Sequence, residues 1–340
     1  MDRYRSKYIF DIKMSGLNNN STSYAFVFVC QQGDLEGLSL LLAASLKRFL
    51  DCNYEIIAAV PLPEEKWGKL APQTIAVFQE MGVRVEYFDN PISREKKGNP
   101  LTNKIYSLQI PTQMDKLIFL DSDLLCLQDF DPTGKFMSPF SAAPTFKATG
   151  KNWDKIYQAV SAEVPSTRIK TLFSEELQPP YFNSGLIAVD ANLASELTEM
   201  WLDSFDKIDR SGAMDSNLYF REQVSLAVAV MRLQYQYDLL DEKYNYWVRY
   251  KPLDPHGLPY FLHHTWPHPP IYHQPYLRQL VRSLVDDYPT IEPFVKRCRW
   301  KYYLRPDWMV KINQWAHQNR HSMKKRWGPD ITNWMIHGHS

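Results

Sequence analysis

A chain of 340 residues with 44% apolar content and a formal charge of +1 has the makings of an ordinary globular protein, as one large α/β domain with an appendage or as two domains. Charge this balanced gives no reason to expect a nucleic-acid partner, and no apolar run is long enough to span a bilayer. Four scattered cysteines with no C-x-x-C pair read as reduced thiols, and the polar start from Met1 to Tyr24 has no signal-like apolar region, so the expected setting is cytoplasmic.

In chain order, residues 1–23 form a charged, Asn/Ser-rich lead-in. Tyr24 to Cys30 reads as a buried strand, Gln31 to Asp34 as a polar turn, and Leu35 to Leu50 as a helix with leucines at helical spacing. Neither G-x-G-x-x-G nor a P-loop follows this strand, so dinucleotide and P-loop readings have no support. Tyr54 to Val60 gives a second strand, Glu64 to Met81 a helix and Val83 to Phe88 a third strand. The loop from Asp89 to Pro100 leads into a short helix, Leu101 to Ile110, carrying Asn103 and Lys104. This alternation predicts a doubly wound, largely parallel sheet.

The stretch Lys116 to Leu127 then places two carboxylates, Asp121 and Asp123, between two apolar runs. A continuous apolar run reads as a strand covered on both faces, and acids at its end are costly to bury without a positive partner. A divalent cation held by oxygen ligands fits that position, since ligands of open α/β sheets sit beyond the carboxyl ends of strands. The same D-x-D is also compatible with an acidic turn.

Beyond it, Ser141 to Phe146 reads as a short strand and Gly150 to Pro179 as polar and irregular, with some helix. Tyr181 to Asp190 reads as a polar turn running into an apolar strand. Helices are expected at Asn192 to Ile208 and Arg221 to Met231, and edge strands at Tyr235 to Leu240 and Tyr244 to Val248. Leu258 to His264 reads as a strand ending in two histidines. All nine histidines lie after residue 255, without the spacing of a zinc site.

This ordered set resembles the GT-A fold of nucleotide-sugar glycosyltransferases, and within it the glycogenin-like family 8. The set comprises a strand-turn-helix start, N-K before a D-x-D strand, F-N-S-G before a strand, a buried helix opened by Glu-Gln, and a strand-end histidine. The resemblance covers 24–275 and implies a mixed, mostly parallel sheet; 276–340 is then a basic, aromatic, helical appendage. It implies that Asp121 and Asp123, with one histidine, hold Mn²⁺ or Mg²⁺ against the donor diphosphate. Alternation along a strand sends His263 and His264 to opposite faces, and His264, nearer the strand end, is the expected ligand. The family's G-x-K-P-W is replaced by Trp266, Pro267 and His268, which leaves the cation that closes over the diphosphate unassigned.

The resemblance further implies that Cys30 and Gln31 flank the nucleotide, that Lys104 reaches the diphosphate, and that Ser122, Ser184 and Gly185 line the donor. It sets Asn183, Glu222 and Gln223 around the transferred sugar. Glycine suits a close backbone approach or a turn with positive φ, and Glu222 equally suits a helix N-terminus. The implied activity is hexosyl transfer from a nucleotide sugar, by expectation UDP-linked, to a hydroxyl of a glycan, small molecule or protein. Retention of configuration is the leaning; inversion would need a carboxylate base, for which Glu222 is available. A nucleotidylyltransferase lacks its phosphate loop here. The alternative is a non-catalytic module on the same fold that binds nucleotide sugars or membranes. Peripheral membrane contact would use the basic, aromatic tail, with Arg297, Arg299 and Trp300 among its residues.

Overall fold

The computed structural model of the protein describes residues 22–91, 100–147, 152–214, 220–248, 253–254, 256–264, 274–320, 322–323 and 325–326. The expected lead-in falls almost wholly outside the described residues, as do Trp266, Pro267 and His268. The first half contains β1 (Tyr24–Val29), α1 (Asp34–Phe49), β2 (Tyr54–Leu62), α2 (Glu64–Trp67), α3 (Pro72–Glu80), β3 (Arg84–Asp89), α4 (Thr102–Ser107) and β4 (Lys116–Leu120). Next come β5 (Leu124–Cys126), β6 (Phe140–Pro144), α5 (Trp153–Ala159), β7 (Ile169–Lys170), β8 (Leu177–Gln178), β9 (Phe182–Asp190) and α6 (Ala194–Ser211). The remainder is α7 (Arg221–Arg232), β10 (Tyr237–Leu239), β11 (Tyr246–Trp247), β12 (Phe261–His263), α8 (Pro275–Asp287), α9 (Glu292–Val295) and α10 (Asp307–Gln318), with a 3₁₀ turn at Arg299–Leu304.

Seven strands form the central sheet, in the order β10-β6-β9-β4-β1-β2-β3. Every neighbouring pair is parallel except those made by β9, which is antiparallel to both β4 and β6. The protein is thus an α/β, Rossmann-like fold with a mixed but mostly parallel sheet. Burial on both faces explains the continuous apolar strands. Tyr24, Phe26 and Phe28 point into one core with Leu38, Leu41 and Leu42 of α1. Ala25, Val27 and Val29 alternate into the other, with Ile105, Trp201 and Val228. A smaller sheet, β11-β12-β5, stands apart from the first.

Three expectations change. The single helix over 64–81 is two, because Gly68 caps α2 with φ 79° and Pro72 opens α3. The expected edge strand at Tyr244 to Val248 belongs to the small sheet, whereas β10 does form an edge of the large one. Asn183, Ser184 and Gly185 lie inside β9 rather than in a turn before it. Gly185 is not among the residues with positive φ.

The C-terminal region divides in two. Leu277, Val281 and Leu284 of α8, with Val295, Cys298, Trp300 and Tyr303, join the core that contains α1. By contrast, α10 turns Trp308, Ile312 and Trp315 outward, 61%, 41% and 48% exposed. Among the described residues no helix is long and apolar enough to cross a membrane.

Gly37 shows how tightly the C-terminal segment is seated. A Cβ there would lie 2.6 Å from the Phe294 carbonyl oxygen and 3.0 Å from Cβ and Sγ of Cys298. In an open helix, glycine to alanine stabilises by roughly 1 kcal/mol. Here we expect Gly37→Ala to reverse the sign and destabilise by about 1–3 kcal/mol, the usual cost of overpacking. The urea midpoint measures it, and a midpoint at or above wild type would refute the contact.

Candidate active site

The two acids emerge where the chain order of the sheet reverses: β1 has β2 on one side and β4 on the other. Such a switch point opens a crevice beyond the strand ends. The ends are tied together locally. The Asp121 amide donates to the Gly185 carbonyl at 2.7 Å, and the Ser122 hydroxyl donates to the Val29 carbonyl. Ser122 therefore uses its hydroxyl to join β4 to β1.

His263 closes the crevice from the small sheet. Pairing of β12 with β5 sets His263 opposite Leu124, which brings its Nε2 to 3.2 Å from Asp123 Oδ1 and 3.8 Å from Asp121 Oδ2. One ligand atom from each of Asp121, Asp123 and His263 lies within 4.8 Å of the others. Two carboxylates and an imidazole at this spacing are a donor set that fits a small divalent cation. The expected His264 does not join them. Strand alternation turns it to the opposite face, where its ring packs 4.6 Å from Trp300 and 5.7 Å from Tyr303. It is 1% exposed, and burial pushes its pKa down to about 4.

Behind the acids runs a buried polar chain. Lys104 places Nζ 2.8 Å from Asp121 Oδ1 and 3.2 Å from Glu222 Oε1. Its Nζ also donates to Ser184 Oγ at 3.1 Å. Ser184 donates to Glu222 Oε1 at 2.6 Å, and the Gln223 amide donates to Glu222 Oε2 at 2.7 Å. Gln223 Nε2 in turn donates to the Tyr181 hydroxyl at 3.1 Å. Glu222 and Gln223 open α7, which packs along β9, and this brings residues some 40 apart in sequence to the same crevice.

The charges separate the two acids. Burial pushes the Asp121 carboxyl up, above the ordinary carboxylate range, against the pull of Lys104 and His263. Asp123 is also desolvated, but His263 and Arg299 outweigh that and hold it below the range. For Lys104, burial favours the neutral amine, yet Asp121 and Glu222 overcome it and raise its pKa, so the ammonium persists.

Arg299, from the 3₁₀ turn, joins the site although its sequence context marks it only as part of a basic tail. Its Nη1 lies 3.4 Å from Asp123 Oδ2, while its amide and Nε donate to Asp34 at 2.8 and 2.9 Å. Asn245, which holds His263, is a further member that sequence reasoning misses. Neither sits in a local pattern; only the tertiary fold brings them in. Of the residues expected at the nucleotide, Gln31 accepts from Asn103 Nδ2 at 3.2 Å. Cys30 is fully buried and its thiol is pushed up to about 12 by that burial, so its side chain faces the core and not the crevice.

A family model described as a Rhodobacterales glycosyltransferase domain matches residues 26–234. The chain belongs to this family. It is therefore an enzyme of the glycosyltransferase class, acting on a sugar donor and an acceptor. No curated protein matches it. Asp121, Asp123, Lys104, Asn183 and Glu222 fall within the matched span of the glycosyltransferase, whereas Asn245, His263 and Arg299 lie beyond it.

Proposed function

We propose that this glycosyltransferase is a metal-dependent enzyme of the GT-A, family-8-like kind, moving a hexose from a UDP-sugar to an acceptor hydroxyl with retention. The observation that carries the proposal is the convergence of Asp121, Asp123 and His263 at the strand-order switch point. These three would hold Mn²⁺ or Mg²⁺. When bound, the ion would supply Lewis-acid neutralisation of the departing diphosphate.

The chain's own residues would do the rest. Gln31 and the exposed turn after it would border the nucleoside. Asn183 spends Oδ1 on the Gly185 amide and keeps its Nδ2 for a sugar hydroxyl, while Gln223, held through Nε2, offers Oε1. Glu222 supports the leaning to retention, because its oxygens already accept from Lys104, Ser184 and the Gln223 amide. In this reading it orders the sugar pocket rather than serving as the base of an inverting transfer. In a retaining transfer the acceptor oxygen bonds to the anomeric carbon on the face the diphosphate leaves. The acceptor's proton then passes to the departing phosphate oxygen. Four free thiols, three of them buried, suit a reducing, cytoplasmic setting.

Thermal shift against nucleoside diphosphates and nucleotide sugars, with and without Mn²⁺, tests this reading. A ligand at a hundred times its Kd stabilises by about 2.7 kcal/mol. We expect a Mn²⁺-dependent rise in Tm with uridine nucleotides. No rise with any nucleotide would sink the proposed donor site.

A further inference from the structure

We infer that Asn245 is a positioning residue that fixes His263 in the tautomer protonated on Nδ1, presenting the Nε2 lone pair to a cation between Asp121 and Asp123. The inference rests on the metal reading above, and what carries it is a chain of hydrogen bonds with only one consistent sense. The chain starts at a backbone group that can only donate. The Gly185 amide lies 2.8 Å from the side chain of Asn183, so the atom facing it is Oδ1. That same oxygen lies 2.6 Å from Asn245, which must meet it with Nδ2. The other end of Asn245 is therefore its oxygen, and it stands 2.8 Å from His263 Nδ1. An oxygen there requires a proton on Nδ1, and in the neutral ring Nε2 is then the bare nitrogen.

The chain is shielded and braced. Asn183, Asn245 and His263 are 5%, 2% and 6% exposed, so water has little access to reorganise them. A Cβ on Gly185 would fall 2.7 Å from His263 Cε1 and 3.0 Å from Asn183 Oδ1. The glycine is thus required by the approach of the histidine ring. Its amide orients the ring through two asparagines while its carbonyl holds the Asp121 amide at 2.7 Å. One residue thereby registers both sides of the crevice. An outer-shell partner of a metal-binding histidine ordinarily raises ligand basicity and sets ring orientation.

Two measurements test the role. Nitrogen NMR of the ¹⁵N-histidine-labelled wild-type protein at alkaline pH, with His263 identified by the resonance missing from His263→Gln, reads the tautomer without altering Asn245. A proton on Nδ1 is expected, and a proton on Nε2 would overturn the inference. Titration with Mn²⁺ alone, followed by electron paramagnetic resonance, gives the second. Asn245→Leu should weaken Mn²⁺ binding by about 10–100-fold; unchanged affinity in a protein that melts like wild type would overturn it. Asp123→Ala and His263→Gln, titrated alongside, test the metal reading separately. If both bind Mn²⁺ as wild type does, that reading falls, and the tautomer alone decides the role of Asn245.

Discussion

Asp123→Ala should lower the rate of sugar transfer by about a thousandfold or more while leaving the fold intact. The size follows from the several kcal/mol that Lewis-acid neutralisation of a leaving group contributes, at roughly 1.4 kcal/mol per factor of ten. Asp123 is the better anion of the pair, held below the ordinary carboxylate range even though buried, by His263 and Arg299. Its loss leaves His263 without its nearer carboxylate, at 3.2 Å, and Asp121 without a like charge beside it. The Mn²⁺-dependent rise in Tm should vanish with activity, and the metal-free Tm should stay within a few degrees of wild type. Single-turnover assay with a labelled donor measures the first, and thermal shift the others. A variant that kept wild-type turnover would remove Asp123 from the machinery.

Lys104→Met should be the most destabilising single change at the site. Lys104 is 8% exposed, and its ammonium bridges Asp121 at 2.8 Å and Glu222 at 3.2 Å. Methionine keeps the stem but leaves two enclosed carboxylates with no cation between them. Removing one partner of a buried ion pair costs about 3–5 kcal/mol. At a few degrees per kcal/mol for a protein of this size, Tm should fall by on the order of 10 °C. Adding Glu222→Gln should recover part of the loss, because one of the two stranded charges is then gone. Chemical denaturation of the single and double variants decides the matter. If Lys104→Met melted like wild type, the bridge would contribute nothing.

Much of this centre is legible in the residues themselves. An all-apolar strand that ends in Asp121 and Asp123 calls for a positive partner, and strand alternation already implies that only one of His263 and His264 faces the acids. Which one depends on the pairing of β12 with β5, a contact between residues some 140 apart that no local pattern encodes. The glycine at 185 is conspicuous in sequence, but its purpose is not. A turn with positive φ is the obvious reading, whereas the structure shows a strand residue pared down to admit an imidazole. The helix break at Gly68 and Pro72 is visible, yet apolar spacing runs across it and suggests one helix. Arg299 looks like one more cation in a basic tail, because nothing near it in sequence hints that its partners are Asp34 and Asp123.

The tie between Arg299 and Asp34 spans 265 positions of a 340-residue chain, and that distance has a meaning in time. Domains are generally built from the N-terminus as the chain is synthesised. β1, β4 and β9 can pair well before the later partners of the acids emerge. During that interval Lys104 alone among the site's cations is present to balance Asp121. His263 arrives next and Arg299 last of these, so the two acids gain their remaining partners only when the closing segment has wrapped back onto the first helix. The candidate site is thus completed late, and a chain released before Arg299 would form the central sheet with Asp123 lacking its guanidinium partner.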